Sequence, residues 1–414
     1  MTDIADPVST AVPEGFDFTD PDLYASRVPF PEFAELRKTA PVFWNPQTRE
    51  ESGFDDGGFW VVSRHEDVKA ISCAKSGWSA EENTAIVKFG ADVGPDEREV
   101  QKLMLLNMDA PGHTKVRGIV SRGCFTPRAV AKIEDALRAR ALSIVSEAKA
   151  RGTGDFVTDI ACELPLQAIA DLVGFPQDDR KKIFDWSNQM IAYDDPEYDI
   201  DPAVAAAEIL GYAMGLGEER KACPMDDIAT KLVTADVDGE ALSSEQFAFF
   251  VLILSVAGNE TTRNAISHGM QAFFDHPDQW ELYKRERPST TADEIVRWAT
   301  PVVLFQRTAT EDQDLHGVHI AKGQRVGICY SSANYDETVF EDPHSFDILR
   351  DPNPHVGFGG GGAHYCIGAS LAKMEIDLMF NAIADHLPDI TALGPPRRLR
   401  SAWLNGIKGL PVRY

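Results

Sequence analysis

The stretch FGGGGAHYCIGA, from Phe358 to Ala369, places one cysteine, Cys366, directly before an apolar pattern with helical spacing. The N-terminus of a helix offers unpaired N–H groups and a partial positive charge, and both favour a thiolate over a thiol. A thiolate is a metal ligand, and glycines allow the backbone to approach a flat, bulky group. The stretch therefore predicts that Cys366 is the axial ligand of a haem iron.

Two other interpretations of this stretch are open at this point. A glycine-rich loop before a helix can cradle a phosphate, and a lone cysteine is commonly a small buried apolar residue. The stretch lacks the Gly-Lys-Ser/Thr ending of a phosphate loop and the glycine spacing of a dinucleotide-binding loop. These absences favour haem binding over phosphate binding.

A capping box at Ser243 and Gln246 begins a helix that we predict to run unbroken to the residue before Pro277. The helix is apolar on nearly all sides through Val256, which predicts that it is buried. The stretch 129–235, which precedes it, also has mostly helical patterns, with interruptions near residues 152, 174 and 194.

Three residues in the second half of the long helix are unusual for a buried helix: Gly258, Glu260 and Thr261. A glycine there costs about 1 kcal/mol relative to alanine, and a buried acid costs more unless it is paired or used. Either these residues have a function, or the helix leaves the core here, where polar residues are ordinary.

Two pairs of polar residues lie at helical spacing elsewhere in the chain. His113 and Arg117 are four apart on a helix predicted to start at Asp109, and Glu294 and Arg297 are three apart on a short helix. Taken alone, the first pair fits an ordinary solvent-facing pair, and Glu294 fits the third position of a capping box. The residue pattern predicts strands over residues 59–62, 301–309 and 323–332.

Composition excludes several classes of protein. The 414 residues are 43% hydrophobic, which is enough for a sizeable core, and their formal net charge of −25 argues against binding nucleic acid or anionic membranes. No apolar run reaches membrane-spanning length, and the acidic, polar N-terminus predicts neither a signal peptide nor a membrane anchor. Six scattered cysteines without a CxxC pair fit a reducing cytoplasm.

The cysteine stretch resembles the cysteine loop of the cytochromes P450, the haem-thiolate monooxygenases, whose usual pattern is Phe-x-x-Gly-x-His/Arg-x-Cys-x-Gly. Gly362, His364 and Gly368 keep this register around Cys366, whereas Phe358 lies one residue further from the cysteine than usual. Other signatures of the family occur along nearly the whole chain. The first two are MDAPxHTxxR, with His113 and Arg117, and the acid–alcohol signature, with Gly258, Glu260 and Thr261. The others are Glu294-x-x-Arg297, Arg307 on a strand, and Arg350 before the cysteine loop.

The resemblance implies a mainly α fold with small β-sheets (α+β), in which a triangular helical core surrounds a buried haem b. It implies an irregular N-terminal arm over residues 1–20 and one catalytic domain over residues 21–414. The residues it assigns to the cofactor are Cys366 as iron ligand, His113, Arg117 and Arg307 at the haem propionates, and His364, Phe358, Gly368 and Gly258 around the haem. Glu294, Arg297 and Arg350 would be structural and brace the cysteine loop.

The resemblance also implies a monooxygenase that uses O2 as co-substrate and receives electrons from NAD(P)H through ferredoxin reductase and ferredoxin. Glu260 would deliver protons through water, and Thr261 would donate a hydrogen bond on the oxygen side of the haem. A ferredoxin is commonly acidic, as this chain is, so docking requires a local basic patch. We expect that patch around the cysteine loop, with Lys115, Arg122, Arg128 and Lys373 as candidates.

A narrower resemblance, carried by CELPLQAIA, VAGNETTRN, DEIVRWATPV and WLNGIK, is to the actinobacterial steroid side-chain P450s. It implies hydroxylation of the terminal side-chain methyl of cholesterol or cholest-4-en-3-one, and oxidation onward to the carboxylic acid. The apolar residues expected to line the steroid pocket are Ile86, Val87, Phe89, Val256, Pro301 and Val302.

Three alternatives remain on sequence alone. An apolar pocket would equally admit a fatty acid or a terpenoid, and Lys88 is a candidate partner for a fatty-acid carboxylate. A haem-thiolate gas sensor or carrier needs no proton delivery, so Glu260 and Thr261 weigh against it. A peroxide-driven enzyme would typically lack this acid–alcohol pair.

Overall fold

The computed structural model describes residues 12–13, 15–90, 93–198, 201–234 and 242–414, with the side chains of residues 95 and 122–124 excepted. Helices dominate the described residues, as the sequence predicts, and strands form four small sheets. The helices are α1 Pro21–Ser26, α2 Phe30–Thr39, α3 Arg49–Ser52, α4 His65–Cys73, α5 Pro95–Val100, α6 Gly112–Cys124, α7 Pro127–Val130, α8 Glu134–Arg151, α9 Glu163–Val173, α10 Arg180–Ile191, α11 Pro202–Ala222, α12 Ile228–Val233, α13 Ser244–Ala257, α14 Glu260–Asp275, α15 Pro277–Glu286, α16 Thr291–Ala299, α17 Tyr330–Ala333 and α18 Ala369–His386.

The largest sheet has the strand order β1-β2-β8-β5-β3, in which β2 and β8 are parallel and the other neighbours are antiparallel. Every residue of β2 and β8 is buried, including Arg325, whose guanidinium forms an ion pair with Asp56. The strands are β1 Val42–Pro46, β2 Gly58–Val62, β3 Trp78–Ser79, β4 Thr153–Asp155, β5 Leu304–Ala309, β6 Gln313–Leu315, β7 Val318–Ile320, β8 Arg325–Cys329, β9 Thr391–Ala392, β10 Arg397–Arg398, β11 Ile407–Gly409 and β12 Pro411–Arg413.

The main core is one apolar cluster that runs from Leu105 to Val412 and joins most of the helices. α18 packs on α8, α14 and α16, so the helix that follows the cysteine loop is held from three sides. No helix within the described residues is long and apolar enough to cross a lipid bilayer. Of the predicted N-terminal arm, residues 1–11 and 14 lie outside the described residues, whereas Phe18 is fully buried and its N–H donates to Asn45 Oδ1 at 2.7 Å.

The prediction of one unbroken helix from Ser243 is wrong. The capping box is present, but α13 ends at Ala257 and α14 begins at Glu260. At the junction the Thr261 hydroxyl donates to the Ala257 carbonyl at 2.7 Å, a side-chain-to-backbone bond of the kind that often bends helices. The polar residues therefore mark a break inside the core and not an exit from it.

A buried ionic cluster holds the segment that leads into the cysteine loop. Glu294 accepts two hydrogen bonds from Arg297, at 2.7 and 2.8 Å, and neither side chain is exposed. Arg350 Nε, the Asp347 N–H and Asn353 Nδ2 donate to the same carboxylate at 3.2, 3.0 and 3.1 Å. The capping-box interpretation of Glu294 is wrong because its carboxylate is engaged by this cluster, and α16 has no side-chain cap.

Candidate active site

One internal cavity brings together residues from distant parts of the chain. It is bounded by α6, by the α13–α14 junction, by residues 301–307 and 403–404, and by the segment from Gly357 to Ile376. The predicted residues that line it are Cys366, His113, Arg117, Arg307, His364, Phe358, Gly368, Gly258, Glu260, Thr261, Val256, Pro301 and Val302.

The cysteine loop closes on itself and on the end of α4. The Cys366 N–H donates to the Phe358 carbonyl at 2.9 Å, so Phe358 lines the cavity although it is one residue out of the usual register. Gly362 has a φ of +72°, and a Cβ there would lie 2.1 Å from the Ser72 carbonyl oxygen. A Cβ at Gly360 would lie 2.6 Å from Ser72 Oγ. These two glycines therefore serve the approach of the loop to α4, and not, as expected, an approach to the flat cofactor.

Opposing effects act on the charge of the Cys366 sulfur. Burial raises the pKa of the Cys366 thiol, whereas the Gly368 N–H, Arg117 and the Ala369 N–H act in the opposite direction. Desolvation penalises a charged sulfur more than the helix N-terminus favours it. A bound metal cation would reverse the balance, because a coordinating thiol loses its proton.

A cluster of basic side chains borders the same cavity. The rings of His113 and His364 lie 4.2 Å apart, Arg117 Nη2 donates to the Tyr365 carbonyl at 2.6 Å, and Arg307 is only 6% exposed. Burial, Arg307, His113 and Arg117 together lower the pKa of His364 to about 3. Burial followed by Arg117 also lowers the pKa of His113.

The two arginines of this cluster lack anionic partners in the described part of the chain. Arg307 donates to the Gln306 carbonyl at 2.7 Å, and neither Arg117 nor Arg307 forms an ion pair there. The carboxylate of nearby Asp109 is already bound by Ser79 Oγ at 2.5 Å and the Ala80 N–H at 2.9 Å. Guanidinium groups without anionic partners beside a cavity suit a ligand that carries carboxylates.

The acid–alcohol pair lies where the sequence predicts, on the cavity side of the helix break. Glu260 and Thr261 line the cavity, and Glu260 is 1% exposed. Gly258 has a specific packing reason, since a Cβ there would lie 2.4 Å from Ile169 Cδ1 and 2.9 Å from the Leu254 carbonyl oxygen. With glycine at position 258, the break can lie closer to α9 than it could with a residue that has a Cβ.

Half of the predicted pocket residues lie elsewhere. Ile86 and Phe89 form an apolar cluster with Phe54, and Val87 belongs to a cluster on the sheet, so none of the three lines the cavity. Ile86 and Phe89 pack behind cavity-lining side chains that the sequence analysis missed. The missed lining residues include Leu105, Leu106, Leu254, Phe305, Tyr330, Glu375, Trp403 and Leu404; only the WLNGIK motif pointed to two of them.

The chain belongs to the cytochrome P450 family, and it is a cytochrome P450 monooxygenase. The family model for cytochrome P450 matches residues 289–386. The steroid C26-monooxygenase of Rhodococcus jostii is 66% identical over 403 residues, which cover 97% of this chain and 85% of the relative. The methyl-branched lipid omega-hydroxylase of Mycobacterium tuberculosis is 43% identical over 394 residues, which cover 92% of this chain and 90% of the relative.

Solved structures agree with the fold. A Mycobacterium marinum cytochrome P450 in complex with pseudoionone superposes with a TM-score of 0.90 at 37% identity, and the match covers 96% of this chain and 98% of that chain. Members of the family use a haem iron and O2. The cavity fits such a group, because it offers one thiol beside arginines that lack anionic partners.

The first prediction concerns the contact between the cysteine loop and α4. Gly362→Ala should destabilise the protein by about 2 kcal/mol or more and loosen haem retention, because its Cβ would collide with the Ser72 carbonyl. Gly359→Ala is the matched control, since Gly359 has a φ of +93° but its Cβ would meet nothing closer than 3.7 Å. Both variants carry the backbone strain, and only the first carries the collision. If Gly362→Ala and Gly359→Ala lose the same stability in denaturant unfolding and release haem equally fast, the collision has no effect.

Proposed function

We propose that this protein hydroxylates the terminal side-chain methyl of a steroid such as cholest-4-en-3-one or cholesterol, and that it can oxidise the product onward to the carboxylic acid. The observation that carries the proposal is the lining of the cavity, which combines a thiol and cations with a large set of apolar side chains. The steroid C26-monooxygenase that is 66% identical supports the choice of substrate. The second steroid-specific support is that WLNGIK supplies the cavity residues Trp403 and Leu404.

In this proposal Cys366 holds the iron of a haem b. Arg117 and Arg307 bind the two haem carboxylates, and His113 and His364 contribute hydrogen bonds beside them. Phe358, Gly368 and Gly258, which line the cavity, would help to hold the haem. When bound, the haem supplies the activation of O2 and the oxidation of the substrate.

The residues at the helix break control protons. Thr261 keeps its hydroxyl at the cavity wall and can exchange its bond to the Ala257 carbonyl for one to a water or a ligand. Glu260 takes a proton from solvent-connected water, passes one toward the cavity and ends as the carboxylate from which it began. An acid and an alcohol so placed favour a monooxygenase over a gas sensor or carrier, which needs no proton supply.

The apolar part of the cavity fits a substrate tail without a charge. Val256, Val302, Phe305 and Leu404 line it, and each square ångström of apolar surface that they bury contributes about 25 cal/mol before ordering costs. Lys88, the candidate partner for a fatty-acid carboxylate, forms an ion pair with Asp194 at 3.2 Å. This pairing disfavours a fatty acid, since the lysine would have to leave Asp194 to bind it.

An acidic ferredoxin is the proposed electron donor. The contacts in the structure change the set of residues of this protein that we expect to dock it. Lys373 pairs with Asp293 at 2.5 Å, Lys115 is half-buried, and the Arg122 side chain lies outside the described residues. Exposed Arg128 remains from the sequence-based set. Two exposed lysines flank the cysteine loop instead: Lys69, whose Cα lies 3.1 Å from where a Gly360 Cβ would be, and Lys75.

The docking surface is thus Lys69, Lys75, Arg128 and the half-exposed ring of Tyr365. None of its three basic residues forms an ion pair within the described part of the chain, although the chain as a whole has a net charge of −25. Unpaired cations in an acidic protein form a local attractive field for an acidic partner.

We also propose a cytoplasmic location and a single catalytic unit over residues 21–414. The five cysteines whose side chains are described are free thiols, as expected in a reducing compartment. One apolar cluster extends from Leu105 to Val412 without a division.

The second prediction tests the iron ligand. Cys366→Ser should abolish the thiolate-type spectrum of the reduced carbon-monoxide complex, because a serine oxygen does not donate as a thiolate does. Cys73→Ser is the matched control, since Cys73 is exposed beside the same loop and should keep that spectrum. A thiolate spectrum that survives in Cys366→Ser would contradict the assignment.

The third prediction tests the substrate. Cholest-4-en-3-one should bind more tightly than a long-chain or methyl-branched fatty acid, measured by the substrate-induced spectral shift, and its product should carry oxygen on the terminal side-chain methyl. Val302→Phe should weaken steroid binding about tenfold by narrowing the cavity, whereas Val204→Phe on the exposed face of α11 should not. Ring oxidation, or preferential turnover of the fatty acid, would exclude the steroid-tail assignment and leave the enzyme class intact.

The fourth prediction tests the docking surface. Lys69→Glu, Lys75→Glu and Arg128→Glu should each slow reduction by ferredoxin several-fold at low salt and reduce its dependence on ionic strength. Lys322→Glu, an equal charge reversal at the exposed turn before β8, is the control. If the four variants are reduced equally fast in stopped-flow measurements, the partner docks elsewhere.

A further inference from the structure

Four buried side-chain atoms at the α13–α14 junction have no hydrogen-bond partner: Asn259 Oδ1 and Nδ2, Glu260 Oε2 and Arg263 Nε. Asn259 and Glu260 are each 1% exposed, and Arg263 is 4% exposed. Buried polar atoms in folded proteins are nearly always satisfied by protein or by ordered water. Four such atoms within five residues of the chain therefore mark this junction as a site where ordered water is expected.

The carboxylate of Glu260 is held by one of its two oxygens. Oε1 forms an ion pair with Arg263 Nη2 and accepts a hydrogen bond from Asn264 Nδ2 at 3.0 Å. Oε2 has no protein partner. Glu260 lines the cavity whereas Arg263 does not, so the arginine supports the acid from behind.

Arg263 is in turn fixed by α10. Its Nη1 donates to Asn188 Oδ1 at 2.8 Å, and its guanidinium lies 5.4 Å from the centre of the Phe184 ring. Both partners belong to α10, whose last residue, Ile191, packs in one apolar cluster with Val256. Because Val256 lines the cavity, α10 contacts both the wall of the substrate space and the partner of the acid.

Two other titratable groups that interact with this pair, Tyr198 and Cys162, are neutral. Burial raises the pKa of Tyr198, which feels the charges of Arg263 and Glu260, and burial raises the pKa of Cys162 to about 12. Arg263 is thus the cation that faces Glu260 among the described residues.

We propose that Arg263, oriented by Asn188, is a positioning residue for proton delivery: it fixes Oε1 of Glu260 so that Oε2 faces the water bound at Asn259. This assignment rests on the proposed role of Glu260. A proton taken from solvent reaches Oε2 through that water and leaves toward the cavity, so Glu260 ends each cycle unchanged. Asn259, whose amide nitrogen and amide oxygen both lack protein partners, holds the water on which this transfer depends.

The test compares Arg263→Gln, Arg263→Lys and Asn188→Ala with Arg138→Gln, which removes an exposed ion pair on α8. The first readout needs no turnover: the infrared carboxylate band of Glu260 in the resting enzyme, identified by its loss in Glu260→Gln. This band should shift in Arg263→Gln and Arg263→Lys, because lysine cannot reproduce the planar fork. It should shift less in Asn188→Ala and not at all in Arg138→Gln.

The second readout is product formed per NAD(P)H consumed, with its solvent isotope effect. Arg263→Gln should lower this yield about tenfold and increase the isotope effect, a smaller loss than the 10²–10⁴ expected for an acid–base catalyst itself. The double variant Glu260→Gln/Arg263→Gln should be no worse than Glu260→Gln alone, because the arginine acts through the acid.

Two results would overturn the proposal. One is an unchanged carboxylate band in Arg263→Gln. The other is a double variant in which the losses of product yield from the two single variants multiply. Failure of the steroid assignment would be seen separately, in the identity of the oxidised product, since any substrate that turns over serves this test. A Glu260→Gln variant with normal yield and isotope effect would instead refute the role of the acid.

Discussion

The buried carboxylate of Glu294 is the interaction on which the geometry of the cysteine loop depends. Five hydrogen bonds from Arg297, Arg350, Asp347 and Asn353 converge on it, and Arg297 also donates to three backbone carbonyls of the segment 334–345. Removing one partner of such a buried pair costs about 3–5 kcal/mol, since the other charge remains buried. The loop itself contains no regular secondary structure. The Glu294 cluster holds the segment before the loop, and α4 and Arg117 contact the loop itself.

The cavity is lined by two chemically different sets of side chains. The thiol and the cations Arg117 and Arg307 suit a flat, anionic ligand, whereas apolar residues such as Val302 offer no partner to a charge. A carboxylate beside the apolar residues would lose hydration without gaining a partner, and an apolar tail beside the arginines would leave their charges without an anion. The two sets therefore favour different ligands before any contact specific to a steroid is made.

The break between α13 and α14 lies in the wall of this cavity. It places side-chain polar atoms without protein partners inside the core, and such atoms are tolerated only where water or a ligand satisfies them. Gly258 permits the close contact with α9, and Thr261 bonds the carbonyl of Ala257. The same local irregularity therefore supplies polar groups to the cavity and places Glu260 between the cavity and α10.

The sequence by itself determined which residues could do chemistry and that they meet in one site. The order of the P450 signatures predicted Cys366, the basic cluster and the acid–alcohol pair, and all of them line one cavity. It also predicted the capped start of α13 and the strands β2 and β8, because these follow from local residue spacing and type.

Only the tertiary structure decided how these residues are held. Gly258 at the helix break packs against Ile169 of α9, and the glycines of the loop pack against Ser72 of α4. Arg263, the partner of Glu260, is held by Asn188 of α10. Ile86, Val87 and Phe89 are apolar like the residues that line the cavity, so hydrophobicity could not distinguish the wall from the layer behind it. Local patterns specify what a residue can bind, whereas the side chain that faces it comes from a distant segment whose position the folded core determines.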